Sequence, residues 1–309
     1  MSGILDAIGN TPLVRLRRVV PPGCARILVK LEGQNPTGSM KDRMAAAMIG
    51  RAEADGRLRH GDAIVEYTGG STGASLALVA AAKGYRLKIV SSRAFSEEKL
   101  TQMAALGAEL TLVESEGGRI TRRLIGDMIA AAKAISAEPS CYWTDHLNNR
   151  DSIAGYRTMG EEIWRQSGGT VHAFVQSVGT AASLNGVAGV LRMHDPKTRI
   201  VAVEPGESAV LSGGAPGAHK IEGIGIGTTP PMWDPSIVDE IVPVTTAEAE
   251  AMARRLAREE GLFAGTSSGA NVIAAIRAGA RLGPNATVAT LLVDSGLKYL
   301  STEVYRRTG

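Results

Sequence analysis

The feature that most constrains the fold is an alternation of short apolar runs with helical segments along the whole chain. Seven runs rich in β-branched residues are predicted as buried strands, at residues 27–31, 63–67, 87–90, 109–113, 173–178, 200–204 and 287–293. Apolar residues recur at helical spacing at residues 72–83, 97–106, 120–135, 181–193 and 247–260. Such alternation is typical of mainly parallel sheets with helices on both faces. The sequence therefore predicts an α/β fold.

The length of 309 residues favours two domains or one large α/β unit, at roughly 150 residues per domain. No repeat of fixed period and no low-complexity linker separates two halves. We therefore expect two closely packed lobes, an N-terminal lobe of residues 1–145 and a C-terminal lobe of residues 146–309. An early strand near residues 24–33 is a candidate for packing with the other lobe.

Composition argues against several classes of protein. The 34 Lys and Arg against 31 Asp and Glu give a net charge of +3 without a concentrated basic face, so we expect no nucleic-acid partner. Cys24 and Cys141 are the only cysteines, which supports neither a disulfide framework nor a metal site and fits a cytoplasmic protein. The first residues do not resemble a signal peptide, and no run of 18 apolar residues predicts a membrane span.

Two loops that leave predicted strands are candidates for binding an anion. The strand at 63–67 leads into Thr68-Gly69-Gly70-Ser71-Thr72-Gly73, and the strand at 173–178 leads into Gly179-Thr180-Ala181-Ala182-Ser183. Each loop would present free backbone amides at a helix N-terminus. Neither matches a phosphate-binding P-loop or a full dinucleotide fingerprint, so a nucleotide-binding dehydrogenase has weak support. The alternative for either loop alone is a tight strand-to-helix turn.

A third signal is a lysine in the first turn of a predicted helix. The segment Asn35–Arg43 contains a turn and a helix that starts near Ser39, which places Lys41 at the helix N-terminus. A cation there loses stabilisation from the helix dipole, so the pKa of the ammonium falls and the amine becomes more reactive. The alternative is a solvated Lys41 paired with Asp42.

The segment Asn35–Arg43 resembles the cofactor-lysine segment of the cysteine synthase (O-acetylserine sulfhydrylase) and cystathionine β-synthase family. These are pyridoxal-phosphate enzymes of fold type II, the tryptophan-synthase-β fold. Further similar segments lie along nearly the whole chain, at residues 8–13, 220–225, 259–261, 265–270 and 294–302. The resemblance implies a two-lobed enzyme that binds pyridoxal 5'-phosphate between its lobes and works as a homodimer, with an N-terminal lobe that closes on substrate.

The resemblance also assigns roles to individual residues. Lys41 would form the Schiff base with the cofactor and then remove the substrate α-proton. The cofactor phosphate would lie against Gly179, Thr180, Ala181, Ala182 and Ser183. Ser267 would face the pyridine nitrogen, and a neutral hydroxyl there favours β-elimination through an aminoacrylate over transamination. The alternative for Ser267 is a helix N-cap for the segment after Gly269.

Several positions depart from the family pattern. The phosphate loop usually reads Gly-Thr-Gly-Gly-Thr, so Ala181 and Ala182 restrict the backbone φ angle and crowd the phosphate. The loop that grips the substrate carboxylate usually reads Thr-Ser-Gly-Asn-Thr-Gly. Here Gly69 replaces the serine, and Ser71 replaces the asparagine expected to bond the cofactor's ring hydroxyl, while Thr68, Gly70 and Thr72 are retained.

A glutamine that helps to bind the substrate carboxylate falls on Asp145 or His146 in this chain, depending on alignment by one residue. An anionic Asp145 would repel a carboxylate. A protonated His146 would attract one, or would serve a different nucleophile or leaving group. The alternative is a surface or core-edge histidine. Gly225 lies in a segment expected to close over the cofactor.

The predicted reaction is β-replacement on an O-activated L-serine, in which O-acetylserine and sulfide give L-cysteine. Three alternatives stay open. Another nucleophile would give cystathionine or a diaminopropionate-type product, and hydrolysis of the aminoacrylate would make the enzyme a serine or threonine dehydratase. A catalytically weak relative would instead bind a partner peptide, for instance the tail of a serine acetyltransferase.

Overall fold

A computed structural model describes residues 3–118 and 121–306. Within these residues the strands are β1 (Leu13–Arg15), β2 (Arg26–Leu31), β3 (Ala63–Tyr67), β4 (Arg86–Ser91), β5 (Glu109–Leu112), β6 (Cys141–Trp143), β7 (Ala173–Ser177), β8 (Arg199–Pro205), β9 (Glu240–Val244) and β10 (Thr287–Leu292). The helices are α1 (Lys41–Ala54), α2 (Ser71–Lys83), α3 (Glu97–Ala105), α4 (Arg122–Ser136), α5 (Asp151–Gln166), α6 (Ala182–His194), α7 (Thr246–Arg255) and α8 (Thr266–Leu282). None of the helices in the described ranges has the length and apolar character needed to cross a membrane.

The strands form two sheets. The larger has the order β1-β2-β10-β7-β8-β9, in which β1 is antiparallel to β2 and the other neighbours are parallel. The smaller has the order β5-β4-β3-β6 and is parallel throughout. All residues of β3, β7 and β10 are buried. Helices cover such strands on both faces, which explains their nearly continuous apolar runs.

All seven predicted strands are present, each within one residue at either end. The predicted helices are also present, although residue 120, where one of them was expected to start, lies outside the described residues. Sequence periodicity missed β1, β6 and β9, of which two have only three residues and the third contains Pro243. It also missed α5, whose pattern is broken by two glycines. A Cβ on Gly155 would lie 2.3 Å from the backbone oxygen of Arg43, and one on Gly160 would lie 2.8 Å from Val190.

The chain begins in the larger sheet, passes to the smaller sheet and returns. β2 pairs with β10 from Arg26↔Thr287 to Leu31↔Leu292, so the early strand lies among strands from the second half of the sequence. The smaller sheet uses residues 63–143, and the predicted lobe boundary at residue 145 falls between β6 and α5. The division into two lobes at that residue stays a prediction.

A buried group of charges, which we call the Arg43 network, holds α1 against β2 and α5. It consists of Lys30, Glu32, Arg43 and Glu162. The Arg43 guanidinium donates to both oxygens of Glu32, at 2.7 and 2.8 Å, and to both oxygens of Glu162, at 2.9 and 2.8 Å. Lys30 lies 2.6 Å from Glu162. Because α1 begins at Lys41, two residues before Arg43, this network also helps to fix the position of that lysine.

Candidate active site

The segment before Lys41 runs alongside the carboxyl end of β10. The Met40 N–H donates to the Val293 oxygen at 3.0 Å, and the Ser295 N–H donates to the Gly38 oxygen at 2.9 Å. These bonds place Lys41, the first residue of α1, at the edge where parallel strands commonly bind ligands.

The Lys41 side chain is an available amine. Burial lowers its pKa to about 8, against the opposing effect of the Asp294 carboxylate. The direction agrees with the sequence-based expectation, but the main cause is burial and not the helix dipole. Within the described residues, the ammonium makes no hydrogen bond or ion pair. An amine of this kind fits the predicted role as nucleophile and base.

Asp294 lies near this amine and is a residue that sequence reasoning did not single out. Its Oδ2 accepts a hydrogen bond from the Tyr299 hydroxyl at 2.8 Å, whereas its buried Oδ1 has no partner among the described residues. Burial raises the pKa of Asp294, and the nearby Lys99 and Lys298 oppose that rise. Lys99 also lies 4.6 Å above the Tyr299 ring and pairs with Glu222. The site is therefore rich in charged groups.

Side chains in the first turns of helix α8 form hydrogen bonds with the ends of β10 and β7. The Ser268 hydroxyl accepts a hydrogen bond from Val293 N–H at 2.8 Å, and Asn271 Oδ1 accepts one from Ser177 N–H at 2.7 Å. Ser267 is buried in the first turn between these contacts, and its hydroxyl has no hydrogen bond with the described residues. The alternative that Ser267 is an N-cap is wrong, because the helix begins at Thr266 with Gly265 at the N-cap position.

The predicted phosphate loop joins β7 to α6. The helix begins at Ala182, so the first N–H groups of α6 lack partners within the helix. Gly179 packs closely on the neighbouring loop, since a Cβ there would lie 2.6 Å from the Gly223 oxygen. Gly225 N–H donates to the Val178 oxygen at 3.2 Å, which places Gly225 beside the loop, while its expected closure over the cofactor stays a prediction.

The two alanines of this loop differ from each other. Ala181 has φ +69°, in the left-handed region that costs a residue with a Cβ roughly 1–2 kcal/mol, whereas Ala182 is the first residue of the helix. The Thr180 hydroxyl accepts a hydrogen bond from Ala182 N–H at 3.4 Å, and the Ser183 hydroxyl contacts the amide of Gln176. The restriction expected of the alanines is therefore concentrated at Ala181.

The predicted substrate loop joins β3 to α2, which begins at Ser71. The Thr68 hydroxyl accepts a hydrogen bond from Gly70 N–H at 3.1 Å. A Cβ on Gly69 would lie 2.0 Å from the Phe95 ring, so this ring occupies the space that a side chain at position 69 would need. The departure from the family's serine therefore has a packing partner that the sequence did not reveal.

Asp42 brings this loop close to Lys41. Its carboxylate accepts hydrogen bonds from the Ser75 hydroxyl at 2.6 Å and from the backbone and hydroxyl of Thr37 at 2.8 and 2.5 Å. Ser75 lies one turn into α2, four residues after Ser71, and Thr72 lies between them. The first turns of α1 and α2 are thus joined directly.

His146 lies at the ends of β3 and β6. Its backbone N–H donates to Glu66 at 2.9 Å, and its ring lies 5.5 Å from the Tyr67 ring. Only 13% of its side chain is exposed, so it is not a surface histidine. Asp145 has φ +44°, and its carboxylate accepts two hydrogen bonds from Asn148, at 2.9 and 3.0 Å. Among the described residues, no hydrogen bond joins His146 to the Lys41 side of the site.

These residues fit pyridoxal phosphate. An unpaired amine, a hydroxyl without a partner and a helix N-terminus converge at the ends of β10 and β7, and they match the aldehyde, ring nitrogen and phosphate of that cofactor. Two buried oxygens without partners among the described residues lie nearby: Oε1 of Gln176, whose amide nitrogen contacts the Ser183 hydroxyl, and Oδ1 of Asp294, which packs against Gly265.

A family model described as pyridoxal-phosphate dependent enzyme matches residues 4–294. The chain belongs to this family. It is therefore a pyridoxal-phosphate-dependent enzyme, and the predicted cofactor is confirmed.

Comparisons with three known proteins agree with that placement. The chain is 42% identical over 307 residues to a cysteine synthase of Staphylococcus aureus, covering 99% of this chain and 97% of the relative. Its fold is similar to the crystal structure of the cysteine synthase of Entamoeba histolytica, with a TM-score of 0.92 and 36% identity over 100% of this chain and 92% of that one. An O-acetylserine-dependent cystathionine β-synthase of Helicobacter pylori is 34% identical, with a TM-score of 0.92 and 99% coverage of both chains. The predicted fold class is confirmed.

Proposed function

We propose that this pyridoxal-phosphate-dependent enzyme replaces the acetoxy group on the β-carbon of O-acetyl-L-serine with sulfide, releasing acetate and forming L-cysteine. The observation that carries the proposal is the unpaired Lys41 amine beside the N-termini of α6 and α8. The similarity to a cysteine synthase over nearly the whole chain supports the choice of substrates.

Lys41 would hold the cofactor and move the α-proton of the substrate. With a pKa of about 8, about one lysine in ten is unprotonated near neutral pH, compared with a far smaller fraction at the ordinary value of 10.5. Bound pyridoxal phosphate supplies the electron sink that makes loss of the α-proton and of the β-substituent feasible. The Lys41 amine would take the α-proton before acetate leaves and return it after the nucleophile has added.

The remaining predicted residues would bind and orient. The first N–H groups of α6, with the Thr180 and Ser183 hydroxyls, would hold the phosphate. Ser267 would donate to or accept from the ring nitrogen without adding a charge. The first turn of α2, from Ser71, would hold the substrate carboxylate, with Thr68 fixing the turn before it.

The same residues would support β-replacement with a different nucleophile. The similarity to an O-acetylserine-dependent cystathionine β-synthase, together with His146 at the strand ends, favours this as the second candidate. In that case O-acetylserine would react as above and a thiol or an amine would replace sulfide.

The test follows the visible absorption band of the purified holoenzyme. We expect O-acetyl-L-serine to change this band and sulfide to restore it with formation of cysteine, and we expect Lys41→Ala to abolish both changes. The matched control is Lys197→Ala, which alters an exposed lysine on the turn after α6. A band that does not respond to O-acetylserine would contradict the proposal, whereas recovery with a thiol but not with sulfide would select the second candidate.

We also propose that the enzyme is a homodimer of the cytoplasm, as the resemblance to its family implies. Sedimentation of the holoenzyme and fractionation of cells would test both points. Binding of a peptide that matches a serine acetyltransferase tail is testable by competition with O-acetylserine. Binding without turnover of any donor would support the partner-binding alternative.

A further inference from the structure

A buried carboxylate on β3 packs against the His146 imidazole. Glu66 is completely buried and accepts hydrogen bonds from the Thr144 hydroxyl at 2.6 Å, from the backbone N–H groups of His146 and Tyr67 at 2.9 Å each, and from the Trp143 indole at 3.3 Å. In addition, Nδ1 of His146 lies 3.2 Å from Oε2 of Glu66. A residue that only filled space in the core would not require so many hydrogen-bond donors.

Glu66 is held as an anion. Burial raises its pKa, but the His146 imidazole and the hydrogen bonds from Thr144 and His146 outweigh that effect, so the net pKa lies below the ordinary value. The titratable groups that face the imidazole are Glu66 and Tyr67 of β3 and the adjacent Asp145, whose carboxylate is engaged by Asn148.

The contact with Glu66 decides which ring nitrogen carries the proton. Nδ1 is buried and makes no well-aligned hydrogen bond, so the nearby carboxylate is its polar neighbour. A lone pair on Nδ1 would repel that carboxylate, whereas an N–H is attracted to it. In the neutral imidazole the lone pair is therefore on Nε2, which makes no hydrogen bond with any described residue.

Contacts with β3 place His146 close to the start of the substrate loop. β3 and β6 are parallel neighbours with Val65 opposite Trp143. β6 ends at Trp143, and beyond it the Thr144 N–H still donates to the Val65 oxygen at 3.1 Å. The His146 N–H then donates to the Glu66 side chain, two residues before Thr68, where the substrate loop begins. The imidazole thus lies at the edge of the smaller sheet that carries the substrate loop.

We propose that His146 accepts the proton of the incoming neutral nucleophile and that Glu66 is the residue that positions it. The proposal rests on the β-replacement reaction proposed above. A lone pair of H2S forms the new bond to the substrate β-carbon, the S–H bond breaks, and its proton passes to Nε2 of His146. The electrons of the substrate's carbon–carbon double bond move to the α-carbon, which receives the proton from Lys41. The imidazolium then releases its proton to water.

The test measures the two half-reactions of the holoenzyme separately by rapid mixing, first with O-acetylserine and then with sulfide. In near-neutral buffer, where H2S is a large share of the sulfide and an ordinary imidazole is largely neutral, we expect His146→Gln to slow the sulfide step by about 10²-fold and to leave the O-acetylserine step nearly unchanged. In alkaline buffer, where HS⁻ predominates, the sulfide step of the variant should approach that of the wild type. Glu66→Gln should show a smaller loss of the same kind.

His194→Gln is the matched control, because its imidazole lies 2.8 Å from Glu161 on the surface and outside the site. This variant should change neither step. A loss in His146→Gln that is equal in both buffers, or that is confined to the O-acetylserine step, would overturn the proposal. A wild-type enzyme that does not respond to O-acetylserine would instead contradict the proposed function.

A second readout does not depend on turnover. In holoenzyme with ¹⁵N-labelled histidines, the spectrum of His146→Gln identifies the His146 signals among the five histidines. In alkaline buffer we expect the proton of neutral His146 on Nδ1. A proton found on Nε2 would remove the lone pair that the mechanism requires and would refute it, even if Glu66→Gln fails to fold.

Discussion

Two groups of charges meet at the first turn of α1, and they are built in opposite ways. In the Arg43 network two cations face two carboxylates, and Arg43 forms hydrogen bonds with both. Two residues earlier, Lys41 is half-buried and has no hydrogen-bond or ion-pair partner among the described residues, and Asp294 is its nearby anion. Paired buried charges hold elements together, whereas an unpaired one costs stability and is typical of a functional site.

The pKa values express the same difference. Burial lowers the pKa of Arg43, but the Glu162 and Glu32 carboxylates raise it above its ordinary value overall. Burial likewise raises the pKa of Glu162, but Arg43 and Lys30 bring it down to about 2. Lys41 has no comparable compensation, and its pKa falls to about 8. Compensation by partners, and not burial as such, separates the two groups.

Removing one charge from each group should give the largest contrast, because only the loss from the Arg43 network should destabilise the protein. Arg43→Met leaves two buried carboxylates with only Lys30 as a cation, so we expect the cofactor-free protein to lose about 3–5 kcal/mol in the free energy of unfolding. Lys41→Met removes an uncompensated amine and should not destabilise that protein. Urea denaturation measures both. Arg123→Met is the control, because its side chain is 76% exposed and its loss should change the free energy of unfolding only slightly. An equally small change in Arg43→Met would contradict the distinction between the two groups.

The pH dependence of stability should reveal the same unpaired lysine. Between about pH 8 and pH 10.5, unfolded Lys41 binds a proton that the folded form has lost. The unfolded state therefore binds more protons, and stability contributed by this group rises with pH, by about 3 kcal/mol at most across that window. The measurement is the difference in unfolding free energy between cofactor-free wild type and Lys41→Met. If this difference did not change with pH across that window, folding would not lower the pKa of Lys41.

The smallest expected effect concerns backbone strain at the site. Ala181→Gly removes a Cβ from a left-handed residue, so we expect about 1 kcal/mol of added stability in thermal or urea unfolding. Ala182→Gly is the matched control, since this neighbour is in the helix and should lose about 0.5–1 kcal/mol instead. Equal effects of the two substitutions would mean that the phosphate loop stores no strain.

Local sequence patterns predicted most strands and most helices. A strand buried on both faces is a continuous apolar run, which is visible in the sequence without knowledge of the neighbouring strands. The patterns failed for β1 and β6, which are too short to show a period, and for α5, whose glycines are needed for close helix contacts. The segment around Lys41 singled it out as the candidate cofactor lysine, and that role stays a prediction. The cause of its lowered pKa was not predictable, because burial depends on β10 and Asp294.

Site partners distant in sequence were the part that could not be predicted. Phe95 explains Gly69 only because the two meet across 26 residues of chain, and no local pattern links them. Glu66 likewise acquires meaning only beside His146, which is 80 residues away. The assignment of that histidine by alignment left Asp145 as an equal choice. In the structure Asp145 forms a turn and its carboxylate binds Asn148, whereas the His146 side chain packs against Glu66.

The sequence by itself determined the α/β class and the family and nominated Lys41 as the cofactor lysine, because these inferences depend on residue types and short-range order. Tertiary structure decided which charges are paired and which are not. Arg43 and Lys41 are both cations at the start of one helix, and only the segments packed around them supply Glu32 and Glu162 to one and leave the other alone. Electrostatic energies depend on the distance between charges and on their burial, and neither can be read from residues adjacent in sequence.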